Sequence, residues 1–213
     1  GLSPLEFVDA ALRTLEVSYV TDNLEWNHLP RSGPLVIAAN HPYGGIDGLA
    51  AISALLRRRS DLRVVATTAL AALAPLRRIL FPVDNFGRRD ALAANVVMVR
   101  AALRHVHAGG CLLLFPAGAV SHLDLGSGSV VDPPWKRTAV RLISATGAPV
   151  APIYVHGSNG AGFQLAGLLH PTLRTAMLPR EVTNKRGTVL DLRLGRTIAA
   201  ERIAGIGDVE AIE

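Results

Sequence analysis

Three stretches of the chain bring together residue types that can do chemistry. The first is Asn40-His41-Pro42-Tyr43-Gly44-Gly45-Ile46-Asp47-Gly48. His41 leaves a short apolar run, Gly44 and Gly45 allow a sharp backbone turn, and Asp47 stands at the start of a helical pattern. An imidazole held by a carboxylate is the arrangement of a general base. The acid fixes the ring tautomer and stabilises the imidazolium once a proton is taken. Glycine N–H groups beside a helix start can also hold an anion. The same residues admit a structural role, Asp47 as a helix cap and His41 as a hydrogen-bonded loop residue, and spacing alone leaves both open. The second stretch is Pro116-Ala117-Gly118-Ala119-Val120-Ser121-His122 and the third is His156-Gly157-Ser158-Asn159. In open α/β sheets sites form beyond the carboxyl ends of strands, so parallel strands would bring all three loops to one edge.

Several other chemistries find no support. Gly126-Ser127-Gly128-Ser129 comes nearest to a serine elbow but lies in a long loop rather than after a strand, which argues against a hydrolase triad. Gly157-Ser158-Asn159-Gly160-Ala161-Gly162 has its glycines at the wrong offsets for a dinucleotide loop, and there is no P-loop. His105 and His107, two apart on a helix, face different ways. His28, His122, His156 and His170 have no ligand-like spacing, so no metal site is expected. Cys111 falls in an apolar strand and reads as inert packing. Arg57-Arg58-Arg59 and Arg77-Arg78 close helices, where cations suit the dipole, and read as solvated helix ends. Arg88 and Arg89 follow Asn85-Phe86-Gly87 in a loop, where phosphate binding and a plain surface role are both open.

The elements that must position these groups alternate strand and helix. Ser3-Pro4 opens an amphipathic helix with Leu5, Val8, Leu12 and Leu15 at helical spacing, ending near Tyr19. Its polar face carries few cations, which favours packing on the core over lying on a membrane. Leu35 to Ala39, Leu62 to Ala66, Cys111 to Phe115 and Pro149 to Val155 read as strands, the apolar ones buried on both faces. Phe81-Pro82-Val83 is a short extended piece, and Thr188 to Leu194 alternates as a strand nearer an edge. Helices are expected over Asp47 to Arg58, Thr68 to Leu80, Asp90 to His107, Lys136 to Thr146, Phe163 to Leu169 and Leu173 to Lys185. A Gly/Ser/Pro-rich loop covers Pro116 to Pro134. The order predicts an α/β fold with a largely parallel sheet flanked by helices on both sides, in one domain over 1–213.

Composition limits the partners. The chain has 213 residues, 49% hydrophobic, which excludes intrinsic disorder. One cysteine excludes a disulfide scaffold and points to a reducing compartment. The net charge is +5, and the cations are almost all Arg, with Lys136 and Lys185 the exceptions. An anionic partner fits this, as does the residue bias of a high-GC genome. Aromatics at 5% argue against nucleic-acid binding by base stacking. No apolar run is long enough to span a membrane, and the N-terminus lacks a signal-peptide layout. Gly1 in place of Met reads as a trimmed chain.

At this point the motifs become recognisable. Asn40 to Gly48 resembles the first motif of the lysophospholipid (glycerolipid) acyltransferases, in the His-Pro-x-Gly-Gly-x-Asp-Gly form of the bacterial hemolysin-like branch. Phe115-Pro116-Ala117-Gly118 followed by Ser121 resembles the family's Phe-Pro-x-Gly block. Asp132 with Trp135-Lys136, and Val150-Ala151-Pro152-Ile153, resemble later blocks, so the similarity runs from about Pro34 to Ile198. The resemblance implies acyl transfer from acyl-CoA or acyl carrier protein to a lysolipid hydroxyl, with no bound cofactor, at the cytoplasmic face of an anionic inner membrane and with no nucleic-acid partner. It implies His41 as general base and Asp47 as its orienting acid. Gly44, Gly45 and Gly118 would offer oxyanion N–H groups, and Asn40, Arg88, Arg89, Phe115, Pro116 and Ser121 would contact substrate. Two departures stand out. Five residues, Pro42 to Ile46, separate His41 from Asp47 where the common pattern has four, so their contact rests on the loop's conformation. Ala117 stands where the common block has Glu, which makes a lyso-ornithine lipid or other hydroxyl compound as fitting an acceptor as lysophosphatidate. A non-catalytic lipid-binding scaffold and an esterase or thioesterase using water are the alternatives.

Overall fold

The computed structural model describes residues 1–21, 23–84 and 91–204. In chain order the strands are β1 (Ser18–Val20), β2 (Leu35–Ala39), β3 (Arg63–Thr67), β4 (Leu80–Val83), β5 (Cys111–Leu114), β6 (His122–Asp124), β7 (Ser129–Val131), β8 (Val150–Val155) and β9 (Val189–Leu194). The helices are α1 (Pro4–Thr14), α2 (Glu25–His28), α3 (Gly45–Leu56), α4 (Ala91–His107), α5 (Arg137–Thr146), α6 (Ala161–Leu169), α7 (Pro171–Asn184) and α8 (Ala200–Ala204).

Seven strands form one sheet in the order β1-β9-β8-β2-β5-β3-β4. Every pairing in it is parallel except β8 with β9. The all-apolar run of β2 is explained by its central place: Leu35, Ile37 and Ala39 enter one core while Val36 and Ala38 enter the other. Cys111 and Leu113 of β5 share the first core, Leu112 and Leu114 the second. Helices α1 and α3 cover the first face, and α4, α5 and α8 the second. The expected sheet flanked by helices is therefore the one observed.

Three expectations need correction. Helix α1 starts at its Ser3 cap but stops at Thr14 rather than near Tyr19. Glu16 takes a left-handed φ of 55°, which ends the helix, and Ser18–Val20 pairs in parallel with β9. The span Thr68 to Leu80 is not one helix. Two 3-10 turns, Thr68–Ala72 and Ala74–Arg78, flank an extended Leu73, and Pro75, which has no N–H to continue the first turn's hydrogen bonds, falls in the opening turn of the second. The loop from Pro116 to Pro134 contains the antiparallel hairpin β6–β7, whose turn Asp124 closes by accepting the Ser127 N–H at 2.8 Å.

Arg59 also departs from its reading as a solvated helix end, because its side chain is fully buried. The guanidinium forks onto both Asp61 oxygens at 2.8 and 2.7 Å and donates to the carbonyls of Pro30, Gly33 and Gly109. It thereby ties together the segments that enter β2 and β5. Neighbouring Arg57 pairs with Asp9 at 2.6 Å, and Arg58 lies over the Trp26 ring.

Candidate active site

Strands β8, β2 and β5 lie side by side and parallel, so their carboxyl ends deliver the three loops to one edge. His41 follows β2 directly. Its backbone carbonyl accepts the Ser121 N–H of the second loop at 3.0 Å. The third loop joins through Asn159, whose side-chain amide donates to the Tyr43 carbonyl at 3.4 Å. Tyr43 also lies over Gly157: a side chain there would begin 1.7 Å from the Tyr43 hydroxyl, and Gly157 has φ +114°. Only glycine fits that position.

Asp47 sits in the first turn of α3 and is fully buried. Its Oδ2 accepts the N–H groups of Tyr43 and Gly44 at 2.8 and 3.1 Å. Its Oδ1 lies 2.9 Å from His41 Nδ1, while the His41 side chain stays 21% exposed. The two atoms are in close contact without hydrogen-bond alignment, and the contact is an ion pair when the ring is protonated. Asp47 therefore caps its helix and contacts His41 at once. Nε2 of His41 has no protein partner among the described residues. Burial alone would lower the His41 pKa, but the charge of Asp47, with that of Asp132, outweighs it and holds the value above the ordinary histidine range.

The other predicted site residues fall into two groups. Phe115 stacks on the His41 ring, centroids 4.2 Å apart and planes tilted by 33°. Most of the rest brace the loops. Both ends of the Asn40 amide are engaged by Val155, at 3.0 and 2.7 Å. Pro116 is buried and its carbonyl accepts the Lys136 N–H at 3.0 Å. Ser121 is buried, with its hydroxyl bonded to Asp132. Among the three oxyanion candidates, the N–H of Gly44 is held by Asp47 and that of Gly118 by the Phe115 carbonyl at 2.9 Å. Neither is left to receive an oxyanion in this conformation. Gly45, in the first turn of α3 and exposed, keeps an N–H with no intrahelical acceptor. Arg88 and Arg89 lie outside the described residues.

Asp132 is the participant that reading the residues missed as part of the site. Its Oδ1 accepts the His41 backbone N–H at 3.2 Å as well as the Ser121 hydroxyl. Burial raises its pKa despite those two donors. It also lines an open depression of about 490 Å³ with His122, Val131 and Trp135. Among the described residues no cluster of His, Cys, Asp and Glu is poised to hold a metal.

The helix-flanked and mostly parallel sheet that carries this edge has a counterpart among solved structures. The fold is similar to that of the 1-acyl-sn-glycerophosphate (LPA) acyltransferase PlsC from Thermotoga maritima, with a TM-score of 0.58, 16% identity, and coverage of 98% of this chain and 75% of that one. Residues 1–211 match the family described as Acyltransferase, and the chain belongs to that family. It is also similar to two proteins named lyso-glycine lipid O-acyltransferase, from Phocaeicola vulgatus and Bacteroides thetaiotaomicron. Each is 26% identical over 161 residues, which cover 75% of this chain. The match spans about half the length of these relatives, 54% and 56%.

Proposed function

We propose that this chain transfers an acyl group from a thioester, acyl-CoA or acyl carrier protein, to the hydroxyl of a lysolipid, with His41 as general base and Asp47 orienting it. The observation that carries the reading is the 2.9 Å contact between the buried Asp47 and a partly exposed His41 whose Nε2 has no protein partner among the described residues. The acceptor hydroxyl gives its proton to Nε2 as its oxygen attacks the thioester carbonyl carbon. Asp47 stabilises the imidazolium, and the carbonyl oxygen takes the negative charge near the Gly45 N–H at the start of α3, where the helix dipole favours an anion. The carbon–sulfur bond then breaks, and the leaving thiolate takes the proton back from His41. No acyl-enzyme forms, and no residue must act as nucleophile.

The names of the relatives support an amino-acid lysolipid, such as a lyso-glycine lipid, as acceptor. Such substrates reside in membranes, and among the described residues no helix is long and apolar enough to cross one. Peripheral association with an anionic membrane surface is part of the proposal. The test is thiol release from acyl-CoA or acyl carrier protein, with and without a panel of lysolipids. Native protein should release thiol only with acceptor, and His41→Ala should lose about 10²–10⁴-fold. Undiminished release by that variant would overturn the mechanism. Full release without acceptor would make the protein a thioesterase, and no release with any donor would make it a scaffold.

A further inference from the structure

The helical hairpin α6–α7 has two unlike sides. Its inner side closes on the candidate site: Phe163 is fully buried, and Leu178 and Val182 pack against Gly44 and Gly45. Its outer side is apolar and uncovered. Leu165, Leu168 and Leu169 recur at i, i+3 and i+4 and so share one face of α6. They are 61%, 43% and 79% exposed, and Leu173 in the first turn of α7 is 49% exposed. The corner between the helices is tight, because His170 ends α6 and caps α7, its Nδ1 accepting the Thr172 N–H at 3.2 Å. Beside it, the β6–β7 turn holds out Leu125, and Leu123 anchors that hairpin to α6 through the Gln164 side chain at 2.9 Å.

The charge around this knob is mostly positive. The hairpin carries Arg174 and Arg180, with Lys185 and Arg186 just past the end of α7, against a single acid, Glu181. Glu181 is buried, accepts the Gly160 N–H at 2.9 Å and lies 3.8 Å from Lys185. None of the three arginines pairs with a carboxylate among the described residues. The acid on the neighbouring hairpin, Asp124, is held in its own turn.

We infer that the α6–α7 tip docks on an anionic phospholipid bilayer, with Leu165, Leu168, Leu169 and Leu173 entering the boundary between headgroups and acyl chains. Exposed aliphatic side chains at a helical corner, with Arg174 and Arg180 on the adjoining helix free of carboxylate partners among the described residues, are the composition of an interfacial segment. The negative surface potential of such a leaflet attracts those cations. A protein-binding patch would centre on aromatic anchors, and this tip has none. Because α7 packs directly on the Gly44–Gly45 turn, docking sets the His41 loop beside the leaflet. That purpose rests on the acyltransferase reading; the docking surface itself does not.

The test uses vesicles of equimolar phosphatidylcholine and phosphatidylglycerol. Leu169→Cys gives a site for an environment-sensitive fluorophore; native Cys111 does not compete, since it is fully buried with its thiol pushed up to about 12. Vesicles should shift the probe emission to the blue, lipid-borne quenchers should quench it, and added salt should weaken binding. The double variant Leu168→Asp, Leu169→Asp should lower vesicle partition at least about tenfold while leaving turnover of a short-chain, monomeric acceptor unchanged. Unaltered partition by the double variant, or vesicle binding without a probe response, overturns the inference. So does a probe response to acyl carrier protein or to self-association in place of vesicles. Vesicle binding through the hairpin by a chain that transfers no acyl group would sustain this inference and remove the proposed function.

Discussion

Replacing Asp47 by Asn probes the centre of the site. The amide oxygen can still accept the Tyr43 and Gly44 N–H groups that Oδ2 holds at 2.8 and 3.1 Å, so α3 should stay capped and the chain folded. What changes is the group facing His41. Unit charges 2.9 Å apart in an effective dielectric of ~20 attract by roughly 6 kcal/mol, and desolvation of the two ions takes back several kcal/mol. A remainder of about 3 kcal/mol corresponds to roughly 10²-fold in rate through the imidazolium that forms in the transition state. The Asn NH₂ would also donate to Nδ1, placing the ring proton on Nε2 and removing the lone pair that must accept the hydroxyl proton. Together these effects predict a loss of about 10³–10⁴-fold in kcat with little change in KM for the donor. Acceptor-dependent thiol release measures it, with circular dichroism to confirm folding and an NMR titration of the His41 ring, whose pKa should fall. A folded variant working within about tenfold of the native rate would refute the reasoning.

Other predictions follow from the same geometry. The free base must be neutral, so kcat/KM should rise with pH along an acid limb whose midpoint lies above the ordinary histidine value of 6.5, the direction set by Asp47 and Asp132 against burial; a midpoint at or below 6.5 would contradict it. Because the folded pKa is raised, the ion pair's contribution to stability is full below the ordinary value and is lost as pH rises through the folded one, so the urea midpoints of native protein and His41→Gln should differ at acid pH and converge at alkaline pH. Asp132→Ala leaves the His41 N–H and the Ser121 hydroxyl without their acceptor and should cost about 1–3 kcal/mol, read as a lower urea midpoint, with a reduced kcat. Arg59→Met leaves three backbone carbonyls and Asp61 without their buried partner; urea unfolding should show a loss of about 2–4 kcal/mol with thiol release intact below the transition.

What the sequence made legible and what it hid have physical causes. β2 and β5 could be read because a strand buried on both faces must be apolar throughout, and alternate residues of both do enter opposite cores. His41 and Asp47 could be read because they are local, joined across one turn. Ser18–Val20 could not be read as a strand, since three residues become one only by pairing with β9 far along the chain. Arg59 resembled its neighbours Arg57 and Arg58, and nothing nearby signals that its acceptors come from segments around Pro30, Gly33 and Gly109. Asp132 escaped for the same reason: its bond to His41 crosses 91 residues of sequence.

The spacing of the first motif shows how a local irregularity is absorbed. With five residues between His41 and Asp47, one more than the common pattern, the carboxylate would overshoot unless the backbone turned back on itself. Gly44 supplies that turn at φ 90° and ψ −110°, a conformation closed to residues with a Cβ. A side chain there would also press within 3.2 Å of Leu178 and 3.3 Å of Val120. The turn directs the Tyr43 and Gly44 N–H groups inward onto Oδ2 and leaves Oδ1 for the imidazole. The extra residue thus does not lengthen the reach from base to acid. It is taken up in a glycine corner whose N–H groups bond to the same carboxylate, and this makes the acid at once the cap of α3 and the partner of His41.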